Sequence, residues 1–290
     1  MSITDLKSSF RVRSSPYPRK VVSPMQSRER QSPMPTLIAP TSDSTAFSPQ
    51  FDLEGVLVVD PLVSPGDIDT LTLRTAEIAA GSVPYPDEHL ELEPGATGLE
   101  LSTLRKINHC HFHDEVFAAH AAHPGILDVI EALIGPDIKV FGSQLFMKPP
   151  GGVEKPWHQD SAYFPLDPQI VVTCWTALDN VTLENGCMRV IVGSHRDGII
   201  DHSQEWMIGD RRDMQVPDEL IDENRTRAIT LAAGGCSFHH GILLHRSGPN
   251  HTAHSRRGLA VHYIPGNCRW IGPPEEEKEF QVVRGRDTTD

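Results

Sequence analysis

Ile138-Lys139-Val140-Phe141-Gly142-Ser143-Gln144-Leu145-Phe146-Met147, followed by Lys148-Pro149-Pro150-Gly151-Gly152 and then Trp157-His158-Gln159-Asp160, decides the reading of this chain. Ile138, Val140, Phe141 and Phe146 favour a strand, and the Pro/Gly run stops it with a turn. More short strand-like runs follow, at Ile170–Leu178, Met188–Val192, Ala228–Ala232, Cys236–Leu244 and Gly258–Ile264, parted by Pro, Gly and Asn. That spacing predicts an antiparallel sandwich or barrel with helices packed outside it. Upstream, Gly55-Val56-Leu57-Val58-Val59 reads as a strand. Ser64-Pro65 then opens a helix to about Ala80, with Ser at the N-cap and Pro at the first helical position. Helical spacing recurs over Asp114–Ala121 and Ile126–Ile134. Two connections, Gly81 to Arg105 and His195 to Arg227, are expected to be long loops that cover a site.

The 290 residues carry 26 Lys+Arg against 39 Asp+Glu, a net charge of −13. Residues 1–50 hold 7 Lys/Arg and 3 Asp/Glu, hence +4, so residues 51–290 carry −17. This balance opposes binding to a nucleic-acid backbone or an anionic membrane surface. No apolar run reaches the roughly 18 to 20 residues of a membrane helix. With 7 Pro, 11 Ser and no Gly, residues 1–50 are expected to be a disordered extension. Their prolines break up any amphipathic helix and disfavour a transit peptide. Residues 51–275 are expected to form one domain and 276–290 a charged tail. Five scattered cysteines without a CxxC pair predict a reducing, cytoplasmic setting with no disulfide framework. Oligomeric state is not legible.

Fifteen histidines are many, and most must be ordinary surface or core residues. His109, His111 and His113 fit a loop entering a helix better than a metal site. His-x-carboxylate spacing is more selective, because residues i and i+2 of a strand face the same side. It occurs at His89/Glu91, His113/Glu115, His158/Asp160 and His195/Asp197. His158/Asp160 stands out, since it follows a strand and runs into Tyr163-Phe164-Pro165. His195/Asp197 lies in a polar turn, and His89/Glu91 in an acidic, solvated run. The source of a third ligand is Phe238-His239-His240-Gly241-Ile242-Leu243-Leu244-His245, where His245 is expected to end a strand beside Ser247-Gly248-Pro249-Asn250. Two histidines and one carboxylate leave an open face on a metal, as in non-haem Fe(II) oxygenases. A chelating 2-oxo acid and O2 fill that face, and Arg256, eleven residues after His245, is placed to hold the distal carboxylate of such a co-substrate.

These motifs, with Trp175-Thr176-Ala177-Leu178-Asp179, Glu184-Asn185-Gly186-Cys187-Met188 and Gly193-Ser194-His195, resemble the phytanoyl-CoA dioxygenase family over roughly residues 50 to 270. The resemblance implies a mainly β fold, a double-stranded β-helix (cupin-like jelly roll) with flanking helices. It implies Fe(II), 2-oxoglutarate and O2 as cofactor and co-substrates, with succinate and CO2 released. By position His158, Asp160 and His245 match the iron ligands and Arg256 the residue binding the 2-oxoglutarate carboxylate. Ser247 and Trp175 fall where the family contacts the co-substrate, and for Trp175 a place as a core tryptophan stays open. Lys106 corresponds to a lysine near the co-substrate, and Gln144 stands where members differ in a side chain facing the site. Asp160 favours hydroxylation over halogenation, for which the family's halogenases carry Gly or Ala there. Desaturation, ring closure and epimerisation begin with the same hydrogen abstraction and are not separated by sequence.

The expected substrate is a small molecule, neutral or cationic given the −17 charge, such as a secondary-metabolite intermediate. An acyl-CoA is the alternative substrate, although Asp287-Thr288-Thr289-Asp290 is no peroxisomal signal. A non-catalytic β-sandwich that binds a metal or metabolite is the alternative of another class.

Overall fold

A computed structural model of the chain describes residues 47–208, 211–277 and 279–289. The expected disordered extension therefore lies, for residues 1–46, outside the described residues. The order begins α1 (Phe47–Glu54), β1 (Val56–Val59), α2 (Pro65–Ala79), β2 (Leu90–Leu92) and β3 (Leu104–Asn108). Three helices follow, α3 (Cys110–His113), α4 (Glu115–Ala121) and α5 (Pro124–Ile134). Next come β4 (Ile138–Lys148), β5 (Lys155–His158), β6 (Leu166–Asp167), β7 (Val172–Ala177) and β8 (Met188–Ile191). The remainder is β9 (Gln204–Ile208), β10 (Arg211–Gln215), β11 (Thr226–Ile229), β12 (Cys236–His240), β13 (His245–Ser247), β14 (Arg256–Pro265), β15 (Arg269–Trp270) and β16 (Gln281–Arg284).

Eight of these strands make the jelly roll. One sheet has the order β1-β12-β7-β14-β4-β3-β2, with β16 also on β4, and the other β11-β8-β13-β5. Along the chain β4, β7, β12 and β14 enter the large sheet, while β5, β8, β11 and β13 enter the small one, all antiparallel. Because side chains alternate along a strand, each large-sheet strand serves two environments. Leu145, Cys174, Phe238, Leu259, Val261 and Tyr263 point outward into the main apolar core, which the helices complete with Leu71, Phe117, Ile126 and Ile130. Each such fully buried side chain contributes about 1.5–3 kcal/mol. Inward-facing residues meet the small sheet.

Local sequence accounts for the helices. Ser64 caps α2 by accepting from the Asp67 amide at 3.2 Å, Pro65 begins it, and Ile68, Leu71, Thr75 and Ile78 are buried along one face. Among the described residues no single helix is long and apolar enough to cross a membrane.

Four expectations need correction. The connection 81–105 is not structureless, since β2 extends the large sheet through β3. Nor is 195–227, which contains the β9/β10 antiparallel pair lying against β5, with the Val216 amide donating to Trp157 O at 2.9 Å. Both contain strands too short to show a period. Third, Cys236–Leu244 is not one strand ending in His245. β12 stops at His240, the chain crosses between sheets at Gly241, and His245 opens β13 in the small sheet. Gly241 is required there, because a Cβ would overlap Ser161 Oγ. Residues 276–290, read from their charge as a tail, contribute β16, and the buried Lys139 reaches Cys268 O at 2.8 Å and Asp287 at 3.1 Å.

Candidate metal centre

His158 ends β5 and His245 begins β13, and the two are opposite each other in register with ring centroids 4.1 Å apart. The strand stops at His158, but Gln159 remains extended (φ −125°, ψ 126°), so alternation carries Asp160 back to the same side. Gln159, fully buried, turns away and donates to Gly198 O (2.9 Å) and Ile242 O (2.7 Å) while accepting from the Ile200 amide (2.8 Å). His202 Nε2 accepts from the Gln159 amide at 2.8 Å. The turn is thus held from three directions.

Asp160 Oδ1 lies 3.7 Å from His158 Nε2 and 3.6 Å from His245 Nε2, and these three donors all lie within 4.8 Å of one another. Each imidazole uses its other nitrogen on a backbone carbonyl, His158 Nδ1 on Pro156 O at 2.8 Å and His245 Nδ1 on Leu243 O at 2.9 Å. A carbonyl only accepts, so Nδ1 carries the proton and the Nε2 lone pair faces the cluster. Burial and then the neighbouring His245 hold His158 well below the usual histidine range. Burial brings His245 down to about 4. Burial by itself would raise the Asp160 carboxyl, but His245, then His239 and His262, outweigh it and keep it well below the usual carboxylate range. Two neutral imidazoles and a carboxylate, with no thiol, form a donor set suited to non-haem Fe(II).

Arg256 opens β14 at 4% exposure, beside Arg257 but unlike it. Arg257 is neutralised by Asp179 at 2.6 Å, whereas Arg256 meets no carboxylate among the described residues. Its Nη2 donates to Gly186 O at 2.8 Å, its Nε has no partner, and its guanidinium lies 5.4 Å from the Trp175 ring. Burial pushes it down to about 10. A Cβ on Gly258 would overlap the Trp175 ring, so glycine is needed for the indole to lie there. Lys148, opposite Arg256 in register, donates to Ser247 Oγ at 3.0 Å and to Gly248 O. A buried, uncompensated guanidinium beside an ammonium and a hydroxyl fits the distal carboxylate of a dicarboxylic co-substrate.

The remaining expected residues lie on the inward face without touching this cluster. Gln144 pairs in register with Ala260 and Asn108, and Lys106 with Phe146. Lys106 Nζ is engaged by Glu91 at 2.9 Å, and Gln144 makes no side-chain hydrogen bond among the described residues. Among the described residues the three histidines at 109–113 join no three-ligand group. Asp197 pairs with the Arg225 side chain at 3.1 Å rather than with the backbone of its turn. Sequence reasoning missed Lys148, although it stands in the quoted Met147-Lys148-Pro149-Pro150 run, and it missed Thr173, His239 and His262. Asn250 is a clamp, donating to Lys148 O (3.0 Å) and His254 O (2.8 Å).

A jelly roll with a two-histidine, one-carboxylate cluster between its sheets defines a non-haem iron oxygenase. Comparison with known proteins makes this specific: the family model for phytanoyl-CoA dioxygenase (PhyH) matches residues 51–258. The chain belongs to that family of Fe(II)/2-oxoglutarate-dependent oxygenases. It is 31% identical over 179 residues to human peroxisomal phytanoyl-CoA dioxygenase, covering 59% of this chain and 53% of that one. The match thus spans about half the length of the human relative. A probable alpha-ketoglutarate-dependent hypophosphite dioxygenase from Stutzerimonas stutzeri is 28% identical, over 68% of this chain and 69% of its own. Among solved structures, the non-heme monooxygenase ThoJ in its apo form superposes with a TM-score of 0.66 at 26% identity, covering 83% of this chain and 85% of that one.

Proposed function

We propose that this protein hydroxylates a small molecule, coupled to decarboxylation of 2-oxoglutarate to succinate and CO2. The observation that carries the reading is the convergence of His158 Nε2, His245 Nε2 and Asp160 Oδ1, with both imidazoles locked in the ligating tautomer. Iron held by these three residues supplies the redox and Lewis-acid chemistry that activates O2. The chain's own residues bind and orient. Arg256, with Lys148 and Ser247, holds the distal carboxylate, and Trp175 walls that end against water. Gln144 and Lys106, on the same face, line the space farther along β4 and β3.

The names of the relatives span an acyl-CoA and hypophosphite, so family membership alone does not choose the substrate. A charge of −17 over residues 51–290 supports a neutral or cationic small molecule. Five buried cysteines, all free, support a reducing cytoplasmic setting.

The test is an anaerobic titration with Fe(II) and then 2-oxoglutarate, following the visible charge-transfer band of a 2-oxo acid chelated to iron. The band is expected in the parent protein and absent from Asp160→Ala. Iron binding without any band on adding 2-oxoglutarate would overturn the co-substrate assignment.

A further inference from the structure

Three adjacent strands of the large sheet present a row of polar side chains under the metal cluster. His239 on β12 pairs in register with Thr173 on β7, and Thr173 with His262 on β14. All three converge on one atom, the carboxylate oxygen of Asp160 turned away from His158 and His245. Thr173 Oγ1 donates to Oδ2 at 3.0 Å, His239 Nε2 stands 3.4 Å from it, and His262 Nδ1 4.0 Å.

The protons can be assigned. An ionised carboxylate only accepts, so the single Thr173 hydroxyl proton goes to Asp160. Thr173 then accepts from His262 Nδ1–H at 2.9 Å, and the direction is fixed from β14 through β7 to the carboxylate. His239 is 2% exposed, and among the described residues neither of its ring nitrogens has a hydrogen-bond partner. Among the described residues the one carboxylate within reach is Asp160, through Oδ2. A buried imidazole left without partners carries the full desolvation penalty of its polar atoms, so packing does not account for it. Nor is it a fourth ligand: the three-donor group formed by His158, Asp160 and His245 does not extend to it.

We propose that the His239–Thr173–His262 row is a positioning device for Asp160. It holds Oδ2 from beneath, Thr173 through the hydrogen bond it donates and His239 through the Nε2 that faces the oxygen at 3.4 Å, so that Oδ1 alone is presented to the metal. This rests on the metal-centre reading above and adds to it what keeps the carboxylate one-handed, and hence the face opposite the ligands open. Residues that orient a metal ligand in this way change metal affinity when removed.

The experiment uses the full-length metal-free protein and Co(II) as probe, reading the dissociation constant by calorimetry and the coordination by the visible Co(II) spectrum. His239→Phe and Thr173→Val are each expected to weaken Co(II) by about 10- to 100-fold and to change the spectrum. His239→Gln, whose amide can still donate to Oδ2, is expected to recover most of the affinity. Parent-like affinity and spectrum in His239→Phe would overturn the proposal, as would a folded His239→Gln no tighter than His239→Phe. If His239→Phe does not fold, Thr173→Val decides, and unchanged affinity there has the same meaning. A parent protein that binds no Co(II) would sink the metal centre as well, whereas parent binding insensitive to all three variants sinks only the row.

Discussion

The two faces of the large sheet are built from the same strands and behave differently. On the outward face the buried polar groups are few and mostly paired: Thr176 with His120 at 3.0 Å, Ser143 with His111 at 2.7 Å, and Tyr263 with Ala121 O at 2.9 Å. On the inward face Arg256 Nε, Ser237 Oγ and both His239 nitrogens lack hydrogen-bond partners among the described residues. Unpartnered buried donors and an uncompensated guanidinium are costly, and a fold retains them where a ligand uses them. Both faces hold the molecule together, but the inward one also leaves buried polar groups for a ligand to use.

The sharpest break of this comparison comes from Asp160→Ala, which is expected to reduce 2-oxoglutarate consumption to background while leaving thermal melting close to the parent. Phe117→Ala, on the outward side, is expected to do the reverse, costing about 3–5 kcal/mol in denaturant melts while the protein that remains folded keeps its metal affinity. Arg256→Met comes next. It removes a buried charge that the proposed co-substrate would neutralise, so 2-oxoglutarate binding is expected to weaken by about 30-fold or more, while the ligand-free protein melts no lower than the parent. A lower melting temperature with unchanged 2-oxoglutarate affinity would assign Arg256 to the scaffold.

Acid sharpens the outward half. Burial holds His111 and His120 at about 3, below the ordinary 6.5. The unfolded chain therefore binds more protons than the folded one between those values. Stability is full above about pH 6.5 and is lost as pH falls toward 3, by about 2 kcal/mol per histidine at pH 5. Melting followed from pH 7.5 to 5 checks this, and a flat profile contradicts it. Smallest is Gly258→Ala, expected to cost about 1–3 kcal/mol by displacing the Trp175 ring, seen as a shift in tryptophan fluorescence with a weaker response to 2-oxoglutarate.

How far the sequence reached is clear from particular residues. β4, β7 and β14 were legible because each is rich in aliphatic, β-branched and aromatic residues and is bounded by turn residues, and α2 because Ser64-Pro65 announces it. β2, β9 and β10 were not, since strands of three to five residues at an edge show too little pattern. His158 and Asp160 were legible because both candidate ligands lie on one short segment. His239 stood in view as one of three histidines between Phe238 and His245, yet nothing local distinguished it from His240.

Alternation along each run, a turn at each Pro/Gly cluster and the His158-x-Asp160 spacing are local facts, and the sequence by itself determined them. What only the tertiary structure decided is which strand lies beside which. The crossing at Gly241 moves His245 into the opposite sheet from His239, and the β12-β7-β14 register aligns His239, Thr173 and His262 under Asp160. These residues are separated by up to 102 positions, and no period of two or of 3.6 links them. Their meeting is fixed by the packing of two sheets around one space, a property of the whole chain that no short segment carries.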